Sequence, residues 1–115
     1  MDWHIDSNSD EESLLRQMVS TIVSEVSPET IILFGSRARG EARPDSDVDL
    51  LVVETEPFSP QRNRRKEAVR LYMALRNLGV SKDILLYSRE EFEHWKDSLN
   101  HVVGRAYREG RVLHG

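Results

Sequence analysis

The chain has 115 residues, no cysteine and a formal net charge of −4. The length suits one domain with one core. Without cysteine there are no disulfides or thiolate metal sites, and the negative balance argues against tight, nonspecific binding of nucleic acid, which needs a basic footprint. Hydrophobic residues make up 38% and charged residues 31%, the proportions of a globular chain. No apolar run approaches the roughly 18 residues of a membrane span. Met1 to Asp6 lacks the basic and apolar regions of a signal peptide, so a cytoplasmic protein is expected.

Residues 1–8 read as a mobile N-terminus. Ser9 and Glu12 then have the spacing of a capping box that opens a helix. Leu14, Leu15, Met18, Val19, Ile22, Val23 and Val26 recur at helical spacing and give that helix a core-directed face. After Pro28, Thr30 to Phe34 is a short β-branched and aromatic run, read as a buried strand ended by Gly35. Residues 35–40 suit a single helical turn, and Glu41 to Ser46 a loop. Val48 to Val53 is the second strand. Ser59 followed by Pro60 resembles an N-cap and first helical position, so a helix is expected from there to Gly79, with Ala68, Leu71, Tyr72, Leu75 and Leu78 inward.

Asp83 to Tyr87 is the third strand. Ser88 and Glu91 form a second capping box, opening a helix with Phe92 and Trp95 on one side. Leu99, Val102, Val103 and Ala106 continue a helical face toward Gly110, and Val112 and Leu113 are either a brief strand or a packed tail. This order predicts a small α/β (α+β) fold over residues 1–115, with a mixed sheet and helices packed on one face. The link between the first two strands is too short for a parallel crossover, so they should be antiparallel.

Asp47 and Asp49 are two apart at a strand start, so their side chains share a face. Two such carboxylates repel unless a cation sits between them, and oxygen-only ligation suits Mg²⁺ with substrate phosphate oxygens in its remaining positions. The plainer alternative is a pair of solvated acids. Gly35 allows a ligand close to the backbone, and Ser36 adds a hydroxyl and an N–H. Asp83, at the head of the third strand, completes a carboxylate triad if that strand lies beside the second, placed to take a proton from an attacking hydroxyl. A calcium-loop reading of Asp45, Asp47, Asp49 and Glu56 fails because Leu50 stands where such a loop needs glycine. One of Arg37, Arg39 and Arg43 is placed to neutralise phosphate charge, while Arg39 and Arg43 suit salt bridges, for example to Glu41. Ser46 suits a loop-ordering hydrogen bond. The cluster Arg62, Arg64, Arg65 and Lys66 is either a solvated helix end or a phosphate-facing patch. The four histidines lack metal-ligand spacing, and an exposed Trp95 would be a good interface anchor.

Gly35-Ser36-Arg37-Ala38-Arg39-Gly40-Glu41-Ala42-Arg43 and Ser46-Asp47-Val48-Asp49-Leu50 closely resemble the minimal nucleotidyltransferase (MNT) group of the polymerase-β superfamily. The match is dense over residues 31–53 and weaker at Asp83 and at Arg108 to Leu113. His114 departs from it, standing where an aromatic is expected. The resemblance implies a polymerase-β-like nucleotidyltransferase that uses ATP and Mg²⁺. By that resemblance Gly35 and Ser36 would hold the nucleotide, with Arg37 beside them as the phosphate-neutralising arginine, and Asp47, Asp49 and Asp83 would hold metal and carry the catalysis. It further implies an antitoxin that transfers AMP to a tyrosine of a helical HEPN-type toxin. The alternatives are an antitoxin acting by complex formation alone, and an ATP-binding sensor.

Overall fold

The computed structural model describes residues 7–115, and side chains from residue 10 onward. The elements are α1 (Ser7–Val26), β1 (Thr30–Phe34), β2 (Val48–Glu54), α2 (Arg64–Ala74), β3 (Lys82–Ser88), α3 (Arg89–Trp95), α4 (Val102–Glu109) and β4 (Arg111–His114), with a 3₁₀ turn at Arg76–Leu78. Of the segment expected to be a mobile terminus, residues 1–6 lie outside the described residues, while Ser7 and Asn8 are already helical. The helix therefore begins two residues ahead of Ser9. No helix among the described residues is long and apolar enough to cross a membrane.

The four strands form one mixed sheet in the order β3-β2-β1-β4. The expected antiparallel pairing of β1 with β2 is present, with Phe34 opposite Asp49 and Thr30 opposite Val53. β3 runs parallel to β2, and α2 lies in the crossover between them. Val112 and Leu113 belong to a true strand, antiparallel to β1.

The helices lie on both faces of the sheet, not on one. Val48, Leu50 and Val52 of β2 pack with Leu15, Met18 and Ile22 of α1 and Leu71 and Leu75 of α2. Leu51 and Val53 point the other way, onto Val103 and Ala106 of α4, with Phe92 of α3 beside them. The cause is visible in β2 itself. Its run Leu50-Leu51-Val52-Val53 is apolar without alternation, the pattern of a strand covered on both sides.

α2 starts later than Ser59-Pro60 suggests. Ser59 and Arg62 close a turn instead, each donating its N–H to the other's carbonyl at 3.1 and 3.0 Å. The working cap is Asn63, whose side chain accepts from the N–H of Lys66 at 3.0 Å. The turn is set by Arg62, whose guanidinium is drawn back to Glu54 at 2.5 Å and to the carbonyl of Glu56 at 2.8 Å. The helical path stops at Gly79 as expected.

The second capping box forms with both arms. Ser88 donates its N–H to Glu91 Oε1 at 2.9 Å, and its hydroxyl accepts the N–H of Glu91 at 3.1 Å. Replacing Ser88 with alanine should cost about 1 kcal/mol of stability, read as a lower midpoint in urea unfolding. Leu99, expected on the following helical face, lies in the bend before α4 and is exposed. α4 is capped by His101, whose Nδ1 accepts from the N–H of Val103 at 3.1 Å while its ring stacks on Trp95 at 4.2 Å.

Glu54 ends β2 at the far side of the sheet from Asp49 and is only 3% exposed. Its neighbours are Arg62 and Glu67, and one oxygen of each carboxylate is buried without a hydrogen-bond partner among the described residues. Burial, then the adjacent Glu67, push the Glu54 carboxyl up to about 8, against the opposing pull of Arg62. The protonated form of Glu54 is thereby favoured beside Glu67.

Candidate active site

β1 delivers its last residue, Phe34, opposite Asp49. The next residue, Gly35, has φ of +74°, and a Cβ built there would lie 2.2 Å from Asp49 Oδ2. Only glycine lets the backbone rest against that carboxylate. The chain then turns tightly, with the N–H groups of Ala38 and Arg39 donating to the Gly35 carbonyl at 3.1 and 3.2 Å and that of Glu41 to Ser36 at 2.9 Å. The expected single turn is present, although it does not extend into a helix.

The loop carrying Asp47 is braced from below. Ser46 Oγ accepts the N–H of Arg43 at 2.8 Å, the loop-ordering bond its position suggested. Arg37 turns its guanidinium inward, donating to the Ser46 carbonyl at 3.2 and 2.6 Å and to Glu11 at 3.3 Å. Its side chain is 8% exposed. These bonds make Arg37 a brace for the loop. Arg39 pairs with Glu41 at 2.9 Å and approaches Glu109 at 3.9 Å.

β3 places Asp83 directly beside Asp49, as register partners on parallel strands. Their side chains therefore emerge on the same face, while Asp47 lies just ahead of β2, near enough for its charge to act on Asp49. Asp49 is half-buried, while Asp47 and Asp83 are exposed. Burial first, then the charges of Asp83 and Asp47, raise the Asp49 carboxyl above its ordinary value, with Arg37 and Arg39 offsetting part of the effect. The two arginines offset only part of the repulsion on Asp49, and the donor set is hard oxygen throughout, which fits Mg²⁺. Among the described residues no three acidic, histidine or cysteine side chains gather closely enough to enclose an ion by themselves. An ion here would complete its shell with water or substrate oxygens.

A cavity of about 220 Å³ opens beside Asp49. Phe34 and Val102 give it an apolar wall, and Arg39, Arg105 and Glu109 charged ones. The sequence model of the nucleotidyltransferase domain family matches residues 15–111. The chain belongs to that family.

This nucleotidyltransferase is 27% identical to a solved minimal nucleotidyltransferase, with a TM-score of 0.61, covering 96% of this chain and 98% of the other. A toxin–antitoxin structure with AMP-PNP is 20% identical at a TM-score of 0.57, covering 88% and 73% of the two chains. A nucleotidyltransferase from Sulfolobus solfataricus is 24% identical at a TM-score of 0.52, covering 84% and 87%. The last two share the fold. No curated protein matches the chain significantly.

Gly35, Asp49 and Asp83 are thus brought together, with Asp47 at the rim. Three residues that line or support the site were not singled out as site residues by the sequence, although Glu109 lies in the weakly matching tail segment. Arg105 and Glu109 lie on α4, far along the chain, and reach the cavity because α4 covers the sheet face that carries Asp49. Tyr72 reads as an ordinary apolar-face residue of α2, yet its hydroxyl meets β3. Burial raises this phenol, so it remains a donor.

Proposed function

We propose that this nucleotidyltransferase uses ATP and Mg²⁺ to transfer AMP to a hydroxyl of a partner protein, namely a tyrosine of a helical HEPN-type toxin that it thereby neutralises. The observation that carries the reading is Asp49, flanked by Asp83 in register and touched by the backbone at Gly35. In this reading Gly35 and Ser36 seat the phosphates, Asp47 and Asp49 hold the ion, and Arg37 keeps the Asp47 loop in place. Mg²⁺, when bound, neutralises phosphate charge and draws electrons from the reacting phosphorus. Asp83 sits at the edge of the acidic cluster, where it accepts the proton of the attacking hydroxyl. The new bond joins the acceptor oxygen to the α-phosphorus, the bond to the bridging oxygen breaks, and pyrophosphate carries away that electron pair. Arg105, which has no ion pair among the described residues, supplies positive charge on the opposite wall. A protein acceptor is supported by the toxin–antitoxin neighbours.

A second reading, neutralisation by binding alone, is favoured by the exposed apolar side chains Trp95, Leu99 and Tyr107. Incubation of the protein with α-labelled ATP, Mg²⁺ and the toxin separates the two. Wild type should label the toxin, and Asp49→Asn should lower labelling by roughly a hundredfold or more. Neutralisation by wild type without any label on the toxin would favour the binding reading.

A further inference from the structure

Tyr72 is the only aromatic residue of α2. Among the described residues β3 is an edge strand that pairs only with β2, so alternate backbone groups on its other side point out of the sheet. The N–H of Ile84 is one of them, and it donates to the Tyr72 hydroxyl at 2.7 Å. The same hydroxyl lies 3.4 Å from Asp83 Oδ1. A phenol has one proton to give, and an ionised carboxylate has none. With its oxygen already accepting from Ile84, Tyr72 directs that proton to Asp83. One side chain therefore ties the backbone of residue 84 to the carboxylate of residue 83.

Asp83 is exposed, and an exposed carboxylate at a strand head is free to change rotamer. We propose that Tyr72 is a positioning residue for Asp83, fixing one carboxylate oxygen so that the other stays turned to the reacting groups. The inference rests on the nucleotidyltransferase reading for its consequence in catalysis and on the two hydrogen bonds for its geometry. The competing role is structural, with Tyr72 only closing the edge of the sheet. The two roles differ in what they disturb. Closing the edge concerns stability, whereas positioning concerns the transfer step and leaves ATP binding alone.

Tyr72→Phe keeps the ring and removes the oxygen. We expect kcat for labelling of the toxin to fall about tenfold with the KM for ATP unchanged. In an Asp83→Asn background the same substitution should cause no further loss. 4-Aminophenylalanine at position 72, which retains a donor, should restore most of the rate. Equal losses in both backgrounds, or a change confined to the KM for ATP, would overturn the proposal. A second readout does not need activity. In protein labelled with ¹³C at aspartate carboxyls, Tyr72→Phe should move the resonance that Asp83→Asn removes. An unmoved resonance overturns the positioning role even if no acceptor is ever labelled. A moved resonance in a wild-type protein that transfers no nucleotide would retain Tyr72 as the holder of Asp83 and remove the enzyme reading instead.

Discussion

Gly35→Ala is expected to abolish nucleotidyl transfer while Gly40→Ala leaves it intact. Both glycines have nearly the same backbone conformation, with φ of +74° and +73°. Alanine at either place costs roughly 1 kcal/mol of backbone strain. The surroundings differ. A Cβ at residue 40 meets nothing within 4 Å among the described residues, whereas at residue 35 it would lie 2.2 Å from Asp49 Oδ2. The backbone or the carboxylate must move, and either movement displaces the group on which the proposed ion site depends. We expect a loss of roughly a hundredfold or more in transfer rate for Gly35→Ala, together with a lower melting temperature. Gly40→Ala should show only a small drop in melting temperature. Equal activity of the two variants would remove Asp49 from the centre of the reaction.

The second large effect concerns pH and the opposite end of β2. The Glu54 carboxyl is pushed up to about 8 in the folded chain, from 4.5 in a free side chain. Between these values the folded state binds more protons than the unfolded state, so stability falls as pH rises. The full contribution is present below about pH 4.5 and is lost as pH passes through 8. The groups facing this pair are Glu25 of α1, Arg70 of α2, and Glu56 and Arg62 of the connection. A shift of this size corresponds to a change on the order of 4 kcal/mol between pH 5 and pH 9. Urea unfolding across that range measures it. Glu54→Gln cannot ionise, so it should flatten the profile and exceed wild type in stability at pH 9. A wild-type profile that is already flat would show that Arg62 holds both acids ionised.

The parts of the molecule that were legible in the sequence depend on neighbours along the chain. The Ser88 capping box, the antiparallel β1–β2 pair and the Gly35 turn are local, and each is present. The Asp49–Asp83 pairing was legible only as a condition, because strand order is a long-range choice. The placement of helices on both faces was written in the unbroken apolar run of β2, but helix periodicity alone does not say which face of a sheet a helix will cover. Glu54, one residue past the strand expected to end at Val53, carried no mark of burial. The basic run from Arg62 to Lys66 looked like one patch, yet Arg62 turns to Glu54 and Arg64 to Glu91. An acid in one element chooses its base in another, and no spacing along the chain records that choice. Tyr72 was hidden for the same reason, since a tyrosine on an apolar face does not reveal that its oxygen reaches the edge of the sheet.

The unequal connections around β2 bear on the order in which the site assembles. Gly35 and Asp49 meet across an antiparallel pair joined by a short loop, whereas Asp83 reaches Asp49 only after residues 55–81, including α2, have folded back. Closing the longer loop costs more chain entropy and rewards it later. The hairpin side can therefore form first and the Asp83 side second. In the native state the same difference should appear as separate opening events, with amides of β3 exchanging with solvent more readily than those of β1. Transient openings would then detach Asp83 from the cluster while Gly35 and Asp49 remain in contact.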